Sequence, residues 1–230
     1  MEAEAVLTAS ATVVIPLGAA AKEHGPHLKL SNDLVMARYL AERILGRCDV
    51  VLAPAIPYHY FPAFVEYPGS VSLRLETARD LIVDVCRSLA RFGPRRFYVL
   101  NTGISTVRAL EPASRLLAAE GLTLAWTDLA AILEPVERLL CEQAGGSHAD
   151  ESETSMMLCI APELVDMTRA VEDYDAVGTG ALTRVKGASG TYSPSGVWGN
   201  PTLASREKGQ KLLEALVDGI VSDLEVLGRD

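Results

Sequence analysis

The stretch "TVVIPLGAAAKEHGPHLKLSNDLVMARYLAERILGR", Thr12 to Arg47, changes its hydrophobic period once and places a polar loop at the change. Residues 12–18 form a continuous apolar run of strand length, while 33–47 carry apolar residues at three- and four-residue spacing, as a helix with one buried face does. A strand apolar on both faces, followed by such a helix, is the repeating unit of a parallel sheet covered on both sides. The same alternation continues. Strands are expected in "DVVLAPAI" (49–56), "RRFYVLNTG" (95–103) and "LTLAWTDL" (122–129), and helices over 75–93, 105–121, 151–165 and 205–228. Gly93 and Gly121 mark helix stops. The fold expected is a three-layer α/β/α with a mostly parallel sheet. No break in composition marks a linker, so one domain over 1–230 is expected.

Composition narrows the function. A net charge of -9 with 21 scattered basic residues argues against a nucleic-acid surface, which needs clustered Lys and Arg. No apolar run approaches the ~18 residues that a membrane helix needs, and the acidic start "MEAEAVLTAS" is unlike a secretory signal. A soluble, cytoplasmic protein acting on a small molecule is the expectation. Cys48, Cys86, Cys141 and Cys159 are far apart and read as reduced thiols.

Ligands of an open parallel sheet bind outside the carboxyl ends of its strands. Three loops should converge there: "AAAKEHGPH", "PYHY" and "NTGIST". The first sets Lys22, Glu23, His24, His27 and Asp33 close together. Gly25 and Pro26 separate the two histidines, so a loop must present them. His24 and Asp33 could supply an imidazole and a carboxylate to a divalent ion, with Glu23 as a third ligand or a base. Asp33 could equally cap the helix that follows. Ser105 and Thr102 suggest a nucleophile, but no Gly-x-Ser-x-Gly elbow surrounds Ser105, and a helix start is the simpler reading. Two loops, 57–72 and 176–201, are too long for ordinary connections. Their aromatics, among them Tyr58, Tyr60, Phe61, Phe64, Tyr67 and Trp198, are expected to wall a pocket or a subunit contact.

The segment "PLGAAAKEHGPHLKLSNDLVMA" resembles the opening motif of the creatininase family of amidohydrolases, whose motif histidine and its aspartate nine residues later correspond to His24 and Asp33. The resemblance continues in "FVEYPGSVSL" (64–73), "SHADESETSMMLCIAPELVD" (147–166) and "GVWGNPTLASREKG" (196–209). It implies a hexameric homo-oligomer and a centre of two divalent metals such as zinc or manganese. Three of the five family ligands are replaced, by Lys22, Gly103 and Ser105, and only His24 and Asp33 remain. One metal or none is therefore expected, with the Lys22 ammonium standing for a cation's charge beside Asp33. His148 matches the family histidine that carries a proton to the leaving group. Glu153, at the family's Glu-Thr-Ser, could orient His148 or the loop that carries Lys22, or could equally be an ordinary first-turn helix carboxylate.

The catalytic set expected is Lys22, Glu23, His24, Asp33, His148 and Glu153, and the substrate contacts expected are Tyr58, His59, Thr102, Gly103, Ser105 and Trp198. Two classes of function follow. One is a hydrolase of a cyclic amide, formamide or related polarised carbonyl other than creatinine, with C–C cleavage of a carbocyclic ketone or sugar-derived substrate as a variant. The other is a non-catalytic relative that binds a metabolite or serves assembly.

Overall fold

The computed structural model describes residues 2–174 and 180–229. Strands β1 (Thr12–Leu17), β2 (Val51–Leu52), β3 (Arg96–Asn101) and β4 (Thr123–Trp126) form an all-parallel sheet in the order β2-β1-β3-β4. Every residue of β1 is buried, as its unbroken apolar run requires. The pleat sends alternate side chains to opposite layers. Val14, Tyr98 and Leu100 pack on one face with helices α2 (Asn32–Leu45), α5 (Leu129–Leu140), α6 (Glu151–Ile160) and α7 (Arg206–Arg229). Val13, Ile15, Leu17, Phe97 and Val99 pack on the other with α3 (Leu75–Ala90) and α4 (Val107–Ala118). The architecture is a three-layer α/β/α sandwich. A short α1 (Glu2–Val6) precedes the sheet, and β5 (Leu182–Thr183) pairs with β6 (Thr191–Tyr192) in a separate two-stranded ribbon within the second long loop. Residues 176–179 of that loop lie outside the described residues.

The differences from the sequence reading have local causes. The second strand was expected over 49–56, but its ladder covers only Val51 and Leu52, and the chain rejoins β1 once, at Ile56 opposite Leu17. Pro54 and Pro57 lack the N–H groups that a continuous ladder would use. The fourth strand ends at Trp126 because Asp128 turns away to cap α5, its carboxylate accepting from the Ala131 N–H. Helix α5 was not among the expected helices, and it carries Pro135 inside it. Leu133 is buried in the core with Ile132, Val136 and Leu140 against it, and this apolar stripe outweighs one missing hydrogen bond. Helix α6 stops at Ile160, short of the expected Val165, because Pro162 forces Ala161 out of the helical region.

The strand order makes a crevice. From β1 the chain moves outward to β2 on one side and later to β3 on the other, so the ends of β1 and β3 flank the point where the connections diverge. Leu17 and Asn101, the last residues of those strands, are register partners. Gly18 then lets the first turn of α2 lie against the strand exit: a Cβ there would come within 2.3 Å of the Asp33 carbonyl oxygen. Asp33 is thereby fixed at the mouth of the crevice.

Candidate active site

The first loop closes on itself through buried polar contacts. The Lys22 N–H donates to the Leu30 carbonyl over 3.0 Å, and Gly25 takes the positive φ of 69° that the turn between Lys22 and His27 demands. The Lys22 ammonium lies 2.7 Å from Asp33 Oδ2, and His24 Nε2 lies 2.7 Å from Asp33 Oδ1. His24 Nδ1 is 2.8 Å from the Lys22 carbonyl oxygen. Both ring nitrogens of His24 thus face acceptors, and both bonds form when the ring carries two N–H groups. Lys22, His24 and Asp33 are 5%, 1% and 1% exposed. Burial by itself would raise the Asp33 carboxyl, but the Lys22 ammonium and the His24 ring outweigh it and hold the group well below the usual carboxylate range.

The 144–153 segment brings a second histidine against this cluster. The His148 ring lies 4.8 Å from that of His24 and 4.3 Å from that of Phe64. Its Nε2–H donates to the Glu23 carbonyl over 2.6 Å, which leaves Nδ1 as the ring nitrogen with a lone pair, 3.6 Å from Glu153 Oε2. Burial, reinforced by the charges of His24 and Lys22, lowers the His148 pKa well below its ordinary value. A backbone bridge ties His148 to Trp198, whose N–H donates to the His148 carbonyl over 2.9 Å. Ala149 has a φ of 49°, in a region costly for a residue with a Cβ, and its N–H donates to Glu153 Oε2. Glu153 therefore holds the turn that aims His148. His27 anchors the loop from behind, its Nε2 2.8 Å from Thr154 Oγ1.

Asp150 caps α6 by accepting from the Glu153 N–H at 3.0 Å, and Gln143 Nε2 donates to it at 2.7 Å. Burial and then the Glu153 charge nevertheless push its carboxyl up to about 7. An unfolded aspartate titrates near ~3.9, so the folded state holds the extra proton between these values. The stability this group contributes is full below pH ~4 and is lost as pH rises to about 7. In urea melts between these limits, Asp150→Asn should lose stability with rising pH less steeply than the parent chain. Parallel curves would show that Asp150 is already ionised at the acid end.

A cavity of about 430 Å³ opens over this network. Lys22, His148, Glu153, Thr102, Gly103, Ser105 and Trp198 line it, with Phe64, Met36, Leu133 and Met156 as apolar wall and Arg108, Glu134 and Glu137 as charged lining. The loop after β3 is braced internally. Asn101 Nδ2 donates to the Gly103 carbonyl over 2.7 Å, and Thr106 Oγ1 donates to Asn101 Oδ1 over 2.6 Å. Thr102 Oγ1 lies 3.0 Å from the carbonyl oxygens of both Leu17 and Asp33, which joins the two loops. Ser105 Oγ donates to the Tyr60 carbonyl over 3.2 Å rather than to a histidine, an arrangement that suits a brace and not a nucleophile.

Five of the expected catalytic and substrate-contact residues stand apart from the cavity lining: Glu23, Tyr58 and His59, together with His24 and Asp33, which are buried beside Lys22. Tyr58 is 44% exposed on the surface. His59 is fully buried and its Nε2 sits 3.1 Å from the Ala78 carbonyl, pinning the first turn of α3. The Glu23 side chain lies against Gly196, where an added Cβ would meet Glu23 Cγ at 2.5 Å, and burial raises its carboxyl. The cavity residues that sequence reasoning did not find are Asp150, Arg108 and the α5 side chains. Asp150 had a signal, an aspartate two residues after His148 at the start of a helix. Leu133, Glu134 and Glu137 had none without α5.

His24, His148 and Glu153 offer ligand atoms within 4.8 Å of one another, a set that could coordinate one divalent ion such as zinc or manganese. This set shares His24 with the expected His24 and Asp33 pair, whose two Asp33 oxygens face Lys22 and His24. A two-metal centre does not fit these residues: an ammonium rather than a ligand stands at Asp33 Oδ2.

The family model for creatininase, creatinine amidohydrolase, matches residues 1–224. The mycofactocin precursor peptide peptidase of Mycobacterium ulcerans is 34% identical over 222 residues, covering 92% of this chain and 83% of the relative. The creatinine amidohydrolase of Pseudomonas putida is 28% identical, covering 94% and 89%. A solved creatininase described as the manganese form superposes with a TM-score of 0.81 at 26% identity, covering 97% of this chain and 93% of that one. Fold, motif order and match over nearly the whole length agree: the chain belongs to the creatininase family of hydrolases.

Proposed function

We propose that the chain hydrolyses the C–N bond of a small amide, cyclic or peptide-terminal, working as one creatininase-like domain. The observation that carries this reading is the cavity-facing Lys22 ammonium held by Asp33 next to His148, whose Nδ1 lone pair is free to take a proton. The amide carbonyl oxygen accepts an N–H from Lys22, which polarises the carbon and stabilises the oxyanion as it forms. His148 Nδ1 takes a proton from water, the hydroxide adds to the carbonyl carbon, and the C–N bond breaks as His148 returns the proton to the departing nitrogen. The products are a carboxylate and an amine. Glu153 steadies the imidazolium during the transfer. His24 and Asp33 orient Lys22. The volume suits a small molecule, and the peptidase relative supports an amide rather than a ketone. A homo-oligomer, hexameric as the family resemblance implies, belongs to this reading. Among the described residues no helix is long and apolar enough to cross a membrane, and we place the work of this enzyme in the cytoplasm.

The test is incubation with lactams, formamides and short peptides in oxygen-18 water, read by mass spectrometry. One heavy oxygen per product carboxylate is expected, with kcat lowered ~10²–10⁴-fold in His148→Gln. A compound that binds in the cavity and is recovered unchanged would instead support the non-catalytic, metabolite-binding reading.

A further inference from the structure

We propose that Lys22 excludes divalent metal from Asp33, so that this member of a metal-using fold works with an ammonium as its resident cation. A carboxylate 1% exposed needs a positive partner. A metal would satisfy Asp33 from ~2.0–2.2 Å. Here the Lys22 ammonium already sits 2.7 Å from Oδ2 and His24 Nε2 the same distance from Oδ1. The aromatic surroundings of Nζ suit an ammonium. Nζ lies 5.0 Å from the centre of the Phe64 ring and 5.7 Å from that of Phe61, and aromatic faces attract an ammonium but offer a zinc or manganese ion no lone pair.

The remaining donor set is no easier to load. His24 already faces the Lys22 carbonyl with one nitrogen and Asp33 with the other, and Glu153 Oε2 already accepts from Ala149. A dication held by His24, His148 and Glu153 would also stand beside the Lys22 charge, since Lys22 and His148 flank the same Phe64 ring. The manganese creatininase is similar in fold. The assignment of Lys22 as the group that polarises the carbonyl rests on the hydrolase reading, whereas metal exclusion does not.

The experiment counts zinc and manganese per chain by elemental mass spectrometry, after loading with excess ion and desalting, and follows melting temperature with and without the ion. The parent chain should hold far less than one equivalent and show no shift, while Lys22→Glu should hold about one equivalent and melt higher with the ion. Lys22→Gln removes the ammonium without adding a ligand and serves if the glutamate variant fails to fold; its melting temperature should rise with the ion. Stoichiometric metal in the parent chain, lost in Asp33→Asn, overturns the proposal. So does a failure of the folded Lys22 variants to respond to either ion. Neither readout needs a substrate, so a failed hydrolase assay leaves this result standing, and hydrolysis by a metal-loaded parent chain would sink the exclusion alone.

Discussion

Lys22→Met should lower kcat by at least ~10²-fold, the usual effect of removing one donor to a developing oxyanion. It should also destabilise the fold by ~3 kcal/mol, because breaking a buried ion pair leaves a charge that neither water nor a partner compensates. The Lys22 side chain is 6% exposed and that of Asp33 1%, so solvent screening does not soften the loss. The Lys22 and His24 charges hold the folded Asp33 carboxyl below its unfolded value, so its contribution is present above pH ~4 and is lost as pH falls toward the folded value. The stability gap between parent and variant should therefore be widest near neutrality and close on acidification. Urea melts at several pH values measure it. A gap that does not change with pH would mean that Lys22 stabilises through its packing on Phe61 and Phe64 instead. Lys22→Arg should not restore turnover, since a planar guanidinium cannot take the place of a compact ammonium between Asp33 and two phenyl rings.

Gly209→Ala should cost ~3 kcal/mol or more, although alanine is the better helix former by ~1 kcal/mol. Helix α7 crosses α6 at this glycine, and a Cβ would fall 1.9 Å from the Ser155 carbonyl oxygen and 2.4 Å from its carbon. These are backbone atoms in the middle of a helix and cannot swing aside. The two helices would have to part, which opens the core around Met156 and Leu212. Because α6 begins at Glu151 and carries Glu153, the same displacement should disturb the turn at Ala149 and lower kcat along with the melting temperature. A variant as stable as the parent chain would mean that the helices do not touch here.

The sheet and most of the helices were legible because apolar runs and three-to-four spacing record burial directly. What escaped the sequence depended on contacts between distant segments. Helix α5, absent from the sequence reading, is held by the core that receives Leu133 despite Pro135 inside it. The run 49–56 reads as a long strand until the N–H groups missing at Pro54 and Pro57 are set against a real ladder. In the site, the closeness of Lys22, His24 and Asp33 follows from short sequence separation. The direction of each side chain does not: Glu23 lies between Lys22 and His24 in the chain, yet its side chain turns to Gly196. His148 is 124 residues from His24 by number, since 148 less 24 is 124, and only the family motifs pointed to their meeting.

The bridge between His148 and Trp198 has a consequence for how such a pocket can diversify. One wall of the cavity and His148, the proposed proton carrier, share a backbone ladder, with hydrogen bonds of 2.9 Å and 3.3 Å across it. A change that shifts Trp198 to admit a bulkier substrate also shifts the imidazole. New specificity here is more accessible through the α5 side chains of the lining, Leu133, Glu134 and Glu137, on a helix that carries neither His148 nor Trp198.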